Sequence, residues 1–128
     1  VFGTVFTPAE IQIDGVALTE VITQLQSTLT LQQVYIEQLQ QYISVTGQTV
    51  LISGANLQVV SGEGMTDVGV NGTGNIIIGY NEDNGDVKSG SHNLVVGKNH
   101  TYSSYGGIVF GIDNSIEGAY SSVSGGLN

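Results

Sequence analysis

The chain has 128 residues, 19 glycines, one proline, no tryptophan and only 10 % charged residues, which excludes the composition of an ordinary compact globule and implies a thin, repetitive core. Two basic residues against 11 acidic ones give a net charge of −9, which repels phosphate backbones and anionic membrane surfaces, so nucleic acid is excluded as a partner. Cysteine is absent, as fits an oxidising exterior where stability comes from assembly instead of disulfides, and no run of eighteen apolar residues is present to span a membrane.

The chain begins at Val1 without an initiator methionine or signal peptide, as expected of a piece of a longer protein or a mature chain that has lost its export signal. Residues 1–17 read as an irregular, partly strand-like segment. Val1 to Phe6 has strand character, and Thr7-Pro8-Ala9-Glu10 has the form of a capping box with proline at the first helical position. Ile11-Gln12-Ile13 then alternates like a strand and stops at the turn dipeptide Asp14-Gly15.

Residues 18–46 form the second segment, a coiled-coil helix. Leu18, Ile22, Leu25, Leu29, Gln32, Ile36, Leu39 and Ile43 are spaced in alternating steps of four and three, the spacing of a heptad seam. Ile22, Leu29, Ile36 and Ile43 take position a, Leu18, Leu25, Gln32 and Leu39 take d, and the run is about 39 Å long at about 1.5 Å per residue. The other positions are mostly Thr and Gln, without lysine or arginine for interhelical ion pairs, so the helix is marginal alone and needs partners. Isoleucine at a with leucine at d leans toward two strands, whereas Val21, Tyr35 and Tyr42 at g widen the apolar stripe in a way that suits three. Gln32 is the polar exception, read as a register-setting core amide.

The helix is expected to end near Val45 to Gly47, with residues 47–74 as transition strands and a loop. Thr49 to Ile52 and Asn56 to Val60 read as two strands offset by seven, which would start a solenoid directly after the helix. Ser61 to Thr73 is glycine-rich and polar, and Gly72-Thr73-Gly74-Asn75 is a turn, since no lysine follows as a phosphate loop requires.

Residues 75–128 carry the clearest order. Asn93, His100, Gly107, Asn114, Ser121 and Asn128 stand seven apart, as do Gly90, Gly97, Ser104, Gly111, Gly118 and Gly125, and as do Val95, Tyr102, Val109, Ile116 and Val123. Glycine or serine in every unit excludes a helix and leaves a solenoid of short strands and tight turns, the third ladder pointing inward. The unit is two sevens. Leu94, Val96, Ile108 and Phe110 flank the inward position in one half, and Thr101, Ser103, Ser115 and Glu117 flank it in the other, so each coil of about fourteen residues has an apolar outer side and a wet one. Copies of the same chain are the expected partner for the apolar side. An acidic excursion, Asn81 to Asp86, lengthens the step from Gly79 to Gly97 to eighteen.

Units such as Asn75-Ile76-Ile77-Ile78-Gly79 and Asn93-Leu94-Val95-Val96-Gly97, joined by Ser/Gly/Asn turns beside a heptad helix, resemble the head repeats of trimeric autotransporter adhesins of the Yersinia adhesin type. The resemblance covers roughly Asn75 to Asn128. It implies a left-handed parallel β-roll, three copies of which associate around an axis continued by a trimeric coiled coil. Leu94, Val96, Ile108 and Phe110 would meet at that axis. The function expected is a structural or adhesive segment of an extracellular or cell-surface fibre, with a phage tail-fibre segment as the alternative of the same architecture. Partners would be two further copies and a host-surface or matrix receptor or glycan.

No catalytic constellation and no cofactor is expected. His100 occupies the Asn ladder and reads as a solvated turn residue. Glu82, Asp83 and Asp86 lack the spacing of a calcium loop and read as a solvated bulge. Ser103, Ser104, Ser121 and Ser122 recur with the repeat and read as turn or surface residues, not nucleophiles. Tyr105 and Tyr120 are the expected exposed aromatic pair for a carbohydrate face.

Overall fold

The structure is a computed structural model that describes residues 3, 5–7 and 11–127. Three of the four residues of the expected capping box, Pro8, Ala9 and Glu10, and three of the strand-like first six, Val1, Phe2 and Thr4, fall outside these. The chain divides into two compact units, Val1–Leu57 and Gln58–Asn128.

The first unit opens with an antiparallel pair, β1 (Gln12–Ile13) and β2 (Val16–Ala17). Asp14 and Gly15 between them both take positive φ, 51° and 81°, as a two-residue primed turn requires. Helix α1 follows directly over Leu18–Gln40 and is about 35 Å long at about 1.5 Å per residue. Its N-cap, Ala17, has no side-chain acceptor, and the carbonyl of Ile11 instead takes the Leu18 N–H at 2.7 Å. The two-stranded turn thus caps the helix. None of the helix's residues is buried within this chain.

The helix ends earlier than its heptad spacing predicts. Ile43, assigned to position a, lies on β3 (Ile43–Thr46), which pairs antiparallel with β4 (Thr49–Ile52) in the register Ile43↔Ile52, Ser44↔Leu51, Val45↔Val50 and Thr46↔Thr49. β-Branched residues flank a two-residue loop in which Gly47 takes φ 58°, and local hairpin chemistry overrides one more turn of heptad spacing. The expected solenoid start at Asn56 to Val60 is not formed, because those residues hold no strand and β4 is already paired with β3.

The second unit is a parallel β-solenoid of about three turns. Strands β5 (Ile76–Ile78), β6 (Leu94–Lys98), β8 (Ile108–Ile112) and β10 (Ser122–Val123) stack in parallel, each in register with its repeat: Ile76↔Leu94↔Ile108↔Ser122. β7 (Thr101–Tyr102) and β9 (Ser115–Ile116) make the second row. The core between the rows is one side chain thick, with Val95, Tyr102, Val109 and Ile116 buried and Val123 packed against them. This is the inward ladder of the sequence. Its first β5 member, Ile77, is 40 % exposed at the open end of the row.

The corners follow the same 18- and 14-residue steps. Gly79, Gly97, Gly111 and Gly125 take φ of 126°, 119°, 107° and 141°. A Cβ at Gly97 would overlap the carbonyl oxygen of Gly111, and one at Gly111 would overlap that of Gly126, so successive coils touch backbone to backbone. A second corner row, Asn81, Asn99 and Asp113, uses the left-handed tolerance of Asn and Asp at φ of 51° to 58°.

Gly111→Ala is expected to destabilise the solenoid by about 2–3 kcal/mol or more, from backbone strain and from contact with Gly126. Gly69→Ala, where φ is not positive and a Cβ meets nothing within 4 Å, should shift stability by under about 1 kcal/mol. Thermal unfolding of the two variants side by side checks this, and equal melting temperatures would contradict the stacked-corner account.

Candidate functional site

The alternating pleat gives the four-stranded sheet two unlike faces. Ile77, Val95, Val109 and Val123 form the inward row. The outer face carries two apolar columns in register, Ile76, Leu94 and Ile108 in one and Ile78, Val96 and Phe110 in the other. Leu94, Val96 and Phe110 are half-buried by their neighbours, while Ile76, Ile78 and Ile108 are exposed. On the second row, Thr101 pairs with Ser115, and Ser115 Oγ donates to Glu117 Oε1 at 3.2 Å on a solvated surface. The apolar and wet sides expected from the two-seven unit are thus both present.

The helix places Leu18, Ile22, Leu25, Leu29, Gln32, Ile36 and Leu39 on one stripe, whose members are half-buried at Leu18 and exposed thereafter, Leu29 by 63 %. Thr23, Ser27, Thr28 and Thr30 donate their hydroxyls back to the carbonyls four residues earlier, so the polar positions satisfy themselves and seek no partner.

The Asn ladder resolves into two corners of the coil with one bonding rule: each side chain accepts the main-chain N–H of its counterpart one coil on. Asn75 Oδ1 takes the Asn93 N–H at 2.8 Å, Asn93 Oδ1 takes that of Gly107 at 2.8 Å, and His100 Nδ1 takes that of Asn114 at 3.3 Å. His100 is therefore not the solvated turn residue its ladder position suggests; it is only 1 % exposed. Because Nδ1 accepts, Nε2 carries the proton and donates to the Val96 carbonyl at 3.1 Å, as Asn114 Nδ2 donates to Phe110 at 2.9 Å.

Two residues emerge as organisers that no motif marked. His92 sits at φ 58°, accepts the Ser61 N–H on Nε2 at 3.0 Å and faces the Thr66 carbonyl with Nδ1 at 3.2 Å, pinning the loop over a groove of about 440 Å³. With Nε2 accepting, Nδ1 carries the proton and donates to the Thr66 carbonyl, so the ring ties the loop at both nitrogens. Lys88 stands fourteen before Tyr102, in phase with the inward ladder, and its ammonium donates to the carbonyls of Asn81, at 2.6 Å, and Glu82. Asn81 Nδ2 in turn bonds the hydroxyl of buried Tyr102 at 3.0 Å. The acidic excursion thus caps the core end beneath it. The signal for Lys88 was its phase, masked because a charged residue is not looked for on an inward ladder.

Asp83 Oδ1 accepts the N–H groups of Asp86 at 2.8 Å and Gly85 at 2.9 Å, and these bonds hold its carboxyl below the usual aspartate range. No cluster of three or more His, Asp or Glu side chains able to hold a metal ion is formed among the described residues. Tyr105 and Tyr120 lie on adjacent coils with ring centroids 5.4 Å apart and planes at 84°, an edge-to-face pair instead of a flat platform, and of the two expected exposed rings only Tyr120 is exposed, Tyr105 being half-buried. Among the described residues no helix is long and apolar enough to cross a membrane. Comparison with family models, curated proteins and solved structures finds no match to this chain.

His100→Leu is expected to cost about 1–3 kcal/mol for each buried group it leaves unpaired, whereas His100→Asn, which imitates Asn114, should cost less. Denaturant unfolding checks the order, and a leucine variant as stable as wild type would remove His100 from the ladder. The Asp83 turn is stabilising above the usual aspartate range and loses that contribution as pH falls through its lowered native value. In an NMR titration the Gly85 and Asp86 amide shifts should therefore move at lower pH than in an unstructured peptide; coincident midpoints would contradict the turn.

Proposed function

We propose that this chain is a structural and adhesive segment of a homotrimeric extracellular fibre, with the helix as a coiled-coil spacer and the solenoid as a head or rod. The observation that carries the reading is the one-sided apolar face of the parallel sheet, Leu94, Val96, Ile108 and Phe110, repeated coil by coil opposite a polar row. An apolar patch that recurs along a solenoid is an interface, and a heptad stripe with none of its residues buried asks for the same thing. Closed rotational symmetry is the commonest way for copies of one chain to cover a surface of this kind. The net charge of −9 sets such fibres apart from one another, while Leu94, Val96, Ile108 and Phe110 carry no charge and Lys98, at the end of β6, is the charged neighbour of this face. The recurrent Asn-apolar-apolar-apolar-Gly unit joined to a heptad helix supports an adhesin-like head. Tyr105 and exposed Tyr120 are then the side chains available to stack on a receptor glycan.

Phe110 is the largest side chain of the apolar face; it is already half-buried within the chain, so covering the rest is worth part of the about 1.5–3 kcal/mol that full burial gives. Phe110→Glu should prevent or splay assembly of the solenoid by placing like charges at the axis. Glu117→Phe, on the wet row, should leave the trimer intact and less soluble. Sedimentation equilibrium with small-angle scattering checks both. A stable wild-type monomer would sink the reading, and a Phe110→Glu variant that assembles like wild type would mean that this face meets a receptor instead.

A further inference from the structure

We propose that the β3–β4 hairpin is itself an assembly element, its apolar face covered by the hairpins and last helical turns of two further copies of this chain. This rests on the trimeric reading above and adds to it a surface outside the helix.

The pairing Ile43↔Ile52 and Val45↔Val50 puts four β-branched apolar side chains on one face of the hairpin. The opposite face carries Ser44, Thr46, Thr49 and a single leucine. Both faces of the hairpin are exposed, and on the apolar one the side chains nearest the tip are the most open: Val45 is 70 % exposed and Val50 65 %. An isolated two-stranded hairpin is marginal in water and needs a further layer against its apolar side. The end of α1 borders it, with an open groove of about 590 Å³ between them lined by Ile36, Leu39, Ile43 and Val45 among others.

The groove identifies its occupant. Ile36 and Leu39 are a and d residues of the heptad stripe, and a heptad stripe is complementary to a helix with the same repeat in register. The described part of this chain contains one such helix, so the complement is another copy. Copies aligned along the stripe bring their hairpins to the same level, because each hairpin leaves its helix within three residues of Gln40. Charge points the same way. Between residues 18 and 57 only Glu20 and Glu37 are ionised, so strongly acidic copies approach one another here with the least repulsion.

The test uses the full chain, whose lack of cysteine allows single-cysteine variants. In the assembled protein the cross-strand amides of β3 and β4 should exchange with deuterium on the order of 100-fold more slowly than in unassembled chain at high dilution. Val50→Cys should form disulfide-linked pairs of chains, and Thr49→Cys, on the opposite face, should not. If sedimentation shows a trimer but the hairpin amides exchange as fast as in dilute chain, or Thr49→Cys links as readily as Val50→Cys, the hairpin proposal is overturned and the trimeric reading stands. If the chain is a monomer throughout, both fall together.

Discussion

Everything in the second unit depends on a core one side chain deep. In such a core a residue cannot be sheltered by layers above it, so it must be covered by its own counterpart in the next coil. Val95 lies over Val109, and Tyr102 over Ile116, because the strands beneath them are in strict register. That requirement reaches the corners. Coils close enough for valines to stack are close enough for carbonyl oxygens to fill the space of a Cβ, so the corners at Gly97 and Gly111 must lack one. It also reaches the polar groups, since main-chain N–H groups turned into the thin interior have no water and find Asn75, Asn93 and His100 instead.

A thin core has an energetic consequence. Four buried apolar side chains among the described residues are few for a chain of this length, and such small cores give only marginal stability without additional support. The apolar side chains that would ordinarily complete a core lie on the surface, along the outer columns of the sheet, the helix stripe and the hairpin face. Their arrangement in rows is the observation on which the proposed assembly rests.

The repeat is imperfect where the solenoid has an end to close. Tyr102 is too long for a position otherwise held by Val or Ile, and its hydroxyl emerges at Asn81 in the excursion. Lys88 occupies the next inward place and spends its charge on the carbonyls of the same loop. His92 and Tyr120 take left-handed backbone in a row where Gly74 and Gly106 are the unstrained residues. His92 uses that strain to hold the loop at Ser61 and Thr66. Polar end structures of this kind are what keeps a solenoid's terminal coils from exposing their interior.

The amino-acid sequence by itself determined the solenoid, its roughly fourteen-residue coil, the inward row and the division into apolar and wet sides, because a stacked core repeats its demands at fixed intervals. It also determined the Asp14-Gly15 turn and the existence of a helix, since both are local. The tertiary structure alone decided what depends on partners distant in sequence. Whether Ile43 continued the heptad or joined a strand turned on Ile52 across the hairpin, and heptad spacing holds no information about that pairing. His100 was legible as a ladder residue but not as a buried one, because the direction of its ring is set by Asn114 in the next coil. The Tyr105 and Tyr120 pair shows the same division: the repeat brought them to adjacent coils, and the edge-to-face geometry of their rings, with Tyr120 in left-handed backbone, was decided only by the folded chain.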